Sequence, residues 1–221
     1  MKVNTDGILL GAWAPVEKDT QILDIGTGTG IIAIMMAQRN AQAIVHAVEK
    51  DQESAEEAKV NILSCPWYSR IQVFHQCFLN YTHRYRGTLY DHIISNPPFF
   101  KGGTISETGR KNKGRHTMEM GHQEMLLACA QMIREGGKIS VILPLTEGQH
   151  WLKIARNNDF YPLRITEVRS KSRKPVERLL ITLSKTFCAV STDQLVIMEE
   201  GDSRIYTEEY RKLTMDFYLH F

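Results

Sequence analysis

Gln21-Ile22-Leu23-Asp24-Ile25-Gly26-Thr27-Gly28-Thr29-Gly30 decides the fold. Its first half is apolar around one carboxylate and reads as a buried strand. Its second half alternates glycine with threonine, so the backbone can turn sharply and approach a ligand closely. Gly30 to Arg39 follows as a helix, apolar nearly all round and therefore buried. Strand, glycine turn and helix open a βαβ unit, and the pattern continues. Ala43 to Val48 reads as a strand, Gln52 to Leu63 as a charged amphipathic helix, and Ile71 to His75 and Tyr90 to Ser95 as strands. His122 to Arg134 is a helix, and Glu135-Gly136-Gly137 turns into a strand over Lys138 to Leu143. Gly148 to Asn158 is a further helix. Leu163 to Val168 and Arg178 to Ser184 suit an antiparallel pair at a sheet edge. The expectation is an α/β chain with a mostly parallel sheet and helices on both faces. No repeat, low-complexity tract or linker divides it, so residues 1–221 read as a single domain.

The glycine spacing limits the ligand. In a dinucleotide fingerprint the third glycine falls three residues after the second. Here it falls two residues after, and Asp24 precedes the first glycine. That suits a nucleoside carrying an amino acid better than a pyrophosphate, at a helix N-terminus that favours negative partial charge. Glu49 ends the second strand, 19 residues beyond Gly30. A carboxylate there can accept both ribose hydroxyls.

Composition excludes other classes. With 43% hydrophobic and 24% charged residues in 221, this is no collagen, coiled coil or disordered chain. Cys65, Cys77, Cys129 and Cys188 are too irregularly spaced for a zinc site or a disulfide framework. The histidines never take a metal-ligand spacing, so no metal is expected. The first residues carry no signal-peptide core, and the longest apolar run, Ile31 to Ala37, is 7 residues. A cytoplasmic protein with no membrane contact is expected. The net charge of +2 argues against general coating of nucleic acid. Its distribution is uneven, however. Residues 101–116 carry a net +4 and residues 164–178 another +4, leaving −6 on the rest.

Asn96-Pro97-Pro98-Phe99 follows the fourth strand. Two prolines fix the backbone and remove two N–H donors. The Asn96 side-chain carbonyl and the Pro97 main-chain carbonyl can then accept both hydrogens of a planar amino group. Holding both N–H bonds lets the nitrogen lone pair localise toward an incoming electrophile, with no strong base required. Phe99 offers an aromatic face for a flat substrate, a stack worth ~1–3 kcal/mol for a base.

The glycine loop and Glu49 resemble motifs I and II of the class I methyltransferases, and Asn96 to Phe99 resembles their motif IV for amino-group substrates. The resemblance implies a Rossmann-like fold with a seven-stranded, mostly parallel sheet ending in an antiparallel edge hairpin. It implies S-adenosyl-L-methionine as cofactor and S-adenosyl-L-homocysteine as product. Asp24, Gly26, Gly28 and Gly30 would hold the methionine end, Glu49 the ribose, and Asn96, Pro97 and Phe99 the catalytic turn. The position that often carries an acidic residue on the adenine is Cys77 here, so backbone at Cys77 and Phe78 would read that ring.

Lys2-Val3-Asn4-Thr5-Asp6-Gly7 opens an apolar helix that Thr5 or Asp6 can cap. With Ile8 to Trp13 it closely resembles the segment before motif I in the bacterial tRNA1(Val) adenine N(6)-methyltransferases. Members of that family usually continue upstream of this segment. Lys174-Pro175-Val176-Glu177-Arg178-Leu179-Leu180 and the ending from Tyr206 to Leu219 look like the same family. The resemblance implies methylation of the adenine 6-amino group beside the anticodon of a tRNA, with Thr5 and Asp6 near the amino-acid end of the cofactor. It makes residues 1–18 a cofactor-capping segment and residues 101–120 a substrate loop. Pro98, Phe99, Phe100, Lys101, Arg110, Lys111, Lys113, Arg115 and His116 would then meet the RNA. Lys171, Arg173 and Lys174 either join them or simply keep a hairpin tip soluble. The expected partner is the tRNA anticodon arm, bound by a monomer without an obligate protein partner. Other readings remain open on sequence: a release-factor glutamine amide or ribosomal guanine 2-amino methyltransferase, a non-catalytic cofactor module, or an NAD-dependent oxidoreductase.

Overall fold

A computed structural model describes residues 5–97, 111–201 and 205–218, with residues 111–120 described by their backbone alone. The strand Gln21–Ile25 (β1) is buried on both faces because helices cover both. In chain order the elements are α1 (Thr5–Trp13), β1, α2 (Ile31–Arg39), β2 (Ile44–Glu49), α3 (Gln52–Leu63), β3 (Ile71–His75), α4 (Phe78–Arg84) and β4 (Tyr90–Ser95). Then come α5 (Lys111–Met132), β5 (Ile133–Pro144), α6 (Leu145–Arg156), β6 (Tyr161–Arg169), β7 (Arg178–Ser184), β8 (Ser191–Val196) and α7 (Glu208–Thr214).

The strands form one sheet in the order β3-β2-β1-β4-β5-β7-β6-β8. Every strand except β7 runs in the same direction, since β7 is antiparallel to both β5 and β6 while β8 is parallel to β6. This corrects two expectations. The sheet has eight strands, not seven, and the β6–β7 pair does not end it, because β8 lies outside β6. β8 is Ser-Thr-Asp-Gln-Leu-Val, mostly exposed, so it carries no apolar signal. Its Asp193 receives Arg164 Nη2 at 2.7 Å and the Thr166 hydroxyl from the neighbouring strand.

The helix expected from His122 begins earlier, at Lys111, and β5 begins at Ile133 rather than Lys138. Two cores result. Helices α1, α2, α3 and α7 pack on one face around Leu9, Met36 and Tyr210. Helices α4, α5 and α6 pack on the other around Tyr81, Leu126 and Trp151. The strand order reverses between β1 and β4, the point at which open α/β sheets bind ligands beyond their carboxyl ends. The glycine loop leaves β1 there, and Asn96 leaves β4.

Candidate functional site

Gly26, Gly28 and Gly30 all adopt left-handed backbone, with φ of 69°, 57° and 84°. Such angles are strained for any side chain, which is why three glycines occupy these positions. A Cβ on Gly26 would meet nothing within 4 Å, so this turn faces open space. Gly26 N donates to Val48 O at 2.8 Å, which draws the loop toward the end of β2. There Glu49, only 8% exposed, accepts from Gly28 N at 2.9 Å, Lys50 N at 2.8 Å and Asp51 N at 2.9 Å. These amides fix the carboxylate beside the loop.

Asp24 lies beneath the glycines, fully buried. Its Oδ2 accepts from the Thr27 hydroxyl at 2.5 Å, while its Oδ1 has no hydrogen-bond partner among the described residues. Burial pushes its carboxyl up to about 7, against the pull of the Thr27 hydroxyl and the Ala33 backbone amide and helped by the nearby negative charge of Glu49. A buried carboxylate with an open oxygen suits a cationic ligand group.

Asn96 is half-buried, and its Oδ1 is buried with no hydrogen-bond partner among the described residues. Pro97 beside it is buried. The Ser95 hydroxyl donates to Ile25 O at 2.8 Å and ties the end of β4 to the end of β1. Register pairs Ile25 with Ser95, so Asn96 emerges next to the glycine loop. Among the described residues, two buried acceptors, Asp24 Oδ1 and Asn96 Oδ1, therefore stand without hydrogen-bond partners at the switch point.

The other expected residues are distributed around this centre. Cys77 is exposed at the N-cap of α4, and Gln76 N donates to Glu49 O at 2.8 Å, which sets Cys77 and Phe78 beside the end of β2. Thr5 is exposed at the start of α1, and Asp6 accepts from Arg178 Nε at 3.0 Å. Lys171, Arg173 and Lys174 lie on the loop joining β6 to β7, at the same end of the sheet. Pro98, Phe99, Phe100, Lys101 and Arg110 lie outside the described residues. Lys111, Lys113, Arg115 and His116 fall in the first turns of α5, with side chains outside the description.

Residues 7–152 match the family model described as the methyltransferase small domain. Over 220 residues the chain is 39% identical to a protein of Aliivibrio fischeri named tRNA1(Val) (adenine(37)-N6)-methyltransferase, covering 100% of this chain and 92% of that one. The chain belongs to this family. A family member of the same name from Bacteroides fragilis is 38% identical, covering 99% and 91%. One from Klebsiella pneumoniae is 40% identical, covering 99% and 89%. Among solved structures, a protein described as a predicted O-methyltransferase from Agrobacterium tumefaciens superposes with a TM-score of 0.73 at 22% identity, covering 96% of each chain. TrmN from Thermus thermophilus gives 0.60 at 19% identity, covering 81% of this chain and 48% of that one. Both establish the methyltransferase fold for this member of the family.

The sequence gives no site role to Ser95 or Glu200, and it singles out Arg178 only as one of the basic residues around the β6–β7 loop, not as a partner of Asp6. Glu200 accepts from Ser172 Oγ at 2.6 Å and Arg173 N at 2.9 Å, and so shapes the basic β6–β7 loop. Only proximity in the fold shows these roles. Among the described residues no cluster of three or more His, Cys, Asp or Glu could hold a metal ion, and no helix is long and apolar enough to cross a membrane.

Proposed function

We propose that this enzyme methylates the 6-amino group of adenine 37, beside the anticodon of a valine tRNA, at the expense of S-adenosyl-L-methionine. The observation that carries the reading is Asn96, with its buried carbonyl oxygen open, emerging beside a three-glycine turn in a chain that matches its named relatives over nearly their whole length. Those relatives favour adenine over a protein amide or a guanine.

The residues present fit the cofactor. Gly26, Gly28 and Gly30 leave backbone open to the methionine end, Asp24 Oδ1 is available to its ammonium, and Glu49 ends β2 where a ribose is held. When bound, the cofactor supplies a sulfonium methyl, whose carbon–sulfur bond breaks as a carbon–nitrogen bond forms. Asn96 and the Pro97 carbonyl accept the two amino hydrogens and so raise electron density on the nitrogen. One amino proton then leaves to solvent. Phe99 stacks the adenine, and a nucleotide beside the anticodon is already unpaired, so turning it into the site costs little. Cys77 and Phe78 border the cofactor adenine, and Thr5 and Asp6 its amino-acid end.

Residues 1–221 act as one methyltransferase domain, with 1–18 capping the cofactor and 101–120 meeting the substrate. Pro98, Phe100, Lys101, Arg110, Lys111, Lys113, Arg115 and His116 contact the anticodon arm, with Lys171, Arg173 and Lys174 on its phosphates. The enzyme works as a cytoplasmic monomer. Cofactor tritiated on its methyl group is expected to label a tRNA pool in RNase-sensitive form, and Asn96→Ala to lower kcat by about 10²–10³-fold while retaining S-adenosyl-L-homocysteine binding. Label in protease-sensitive material would refute the reading.

A further inference from the structure

Two stretches that carry the family resemblance, Thr5-Asp6-Gly7 and Lys174 to Leu180, lie far apart in sequence. The fold joins them. Helices α1 and α2 share one face of the sheet, and their lower ends are tied by Arg39 Nη1, which donates to Gly11 O and Ala14 O at 2.7 Å each. They are packed so closely that a Cβ on Gly11 would lie 2.5 Å from Met35 Sδ. Both helices run downward from the carboxyl end of the sheet, so the first turn of α1, one turn above Gly11, lies on the carboxyl-end side of the Gly11–Met35 contact. The first turn of α1 therefore stands beside the helix end that follows the glycine loop.

Asp6, in that turn, receives Arg178 Nε at 3.0 Å. Arg178 opens β7, opposite Pro144 of β5 and Val168 of β6. It belongs to the base of the basic loop. Its Nη1 donates to Glu177 O at 3.0 Å, and the Glu177 carboxylate receives Ser170 Oγ at 2.5 Å. Farther along the loop, Glu200 holds Ser172 and Arg173, and Lys171 Nζ donates to Gly201 O at 3.3 Å. The loop is thus a braced structure, with Arg173 and Lys174 exposed on it and the Arg178–Asp6 ion pair running from its base to α1.

We propose that Arg178 is a positioning residue that acts through Asp6: the ion pair sets the first turn of α1 against the cofactor site and couples filling of that site to engagement of the basic loop. The cofactor half of this inference needs no RNA; the coupling half rests on the tRNA reading above.

The test is a double-mutant cycle on the full chain, read by calorimetric titration with S-adenosyl-L-homocysteine. Arg178→Ala and Asp6→Asn are each expected to weaken binding about two- to fivefold, the range of a partly exposed ion pair, and the double variant no further. Arg178→Lys, which leaves Asp6 in place and keeps a positive charge facing it, is expected to retain affinity to within about twofold. Losses that add, or an Arg178→Ala protein that binds as tightly as the wild type, would overturn the bridge. Repeating the titration with valine tRNA present is expected to tighten binding in the wild type and not in Arg178→Ala. Equal tightening in both would overturn the coupling while leaving the tRNA reading intact. A wild type that binds no tRNA would instead count against the substrate assignment.

Discussion

Asp24 is the residue whose chemistry is most exposed to a simple test. Its buried carboxyl holds a proton up to about pH 7, whereas the unfolded chain releases it near the ordinary value of 3.8. The folded state is therefore favoured by proton binding at low pH. That contribution is lost as pH rises from about 4 to about 7, and no further change follows above the folded value. A cationic ligand group inverts the preference, since it needs the carboxylate. S-adenosyl-L-homocysteine affinity is expected to rise between about pH 6 and pH 8, with proton release on binding at the lower pH, measured calorimetrically in buffers of different ionisation enthalpy. Asp24→Asn should flatten the profile. A wild-type profile flat over this range would deny Asp24 the role. The glycines around it were legible in sequence because positive φ demands a residue type. The open Asn96 oxygen was legible in part, from its two following prolines. Asp6 with Arg178 was not, because an ion pair spanning 172 positions leaves no local pattern.

At the scale of elements, legibility follows burial. β1, β3, β4, β7 and α3 take the bounds that their sequence predicts, because polar residues or turns bracket continuous apolar runs or a clear helical face. α4 was missed: its seven residues bury only Tyr81 and Thr82, and Cys77 gives it no side-chain cap. β8 was missed because its ladder partner, not its composition, makes it a strand. α7 rests on the Thr207 hydroxyl, which receives Tyr210 N at 3.2 Å, a cap too common to define a helix alone. The close approach of α1 to α2 gives a prediction at this scale. Gly11→Ala places a Cβ against Met35 and is expected to destabilise the fold by about 1–3 kcal/mol. Urea denaturation measures it, and an unchanged midpoint would mean that Met35 moves aside freely.

For the whole molecule, a net charge of +2 conceals two basic segments on a mildly acidic body. The fold brings one of them, the loop after β6, to the carboxyl end of the sheet where the glycine loop and Asn96 lie. Charge placed at a site rather than spread over a surface should give modest and localised salt dependence. Arg173→Ala/Lys174→Ala is expected to lower tRNA affinity and to reduce the slope of log affinity against log salt by about 0.7–0.9 for each phosphate no longer neutralised. Filter binding across a salt series checks this, and an unchanged slope would return the loop to a solubilising role. The most direct measurement is nucleoside mass spectrometry of purified valine tRNA from cells with and without this protein. N6-methyladenosine at position 37 should be present with it, absent without it, and restored by the wild-type chain but not by Asn96→Ala. The same methyladenosine content in both cells, or a methyl group that disappears from guanosine or from a protein glutamine instead, would contradict the proposed reaction.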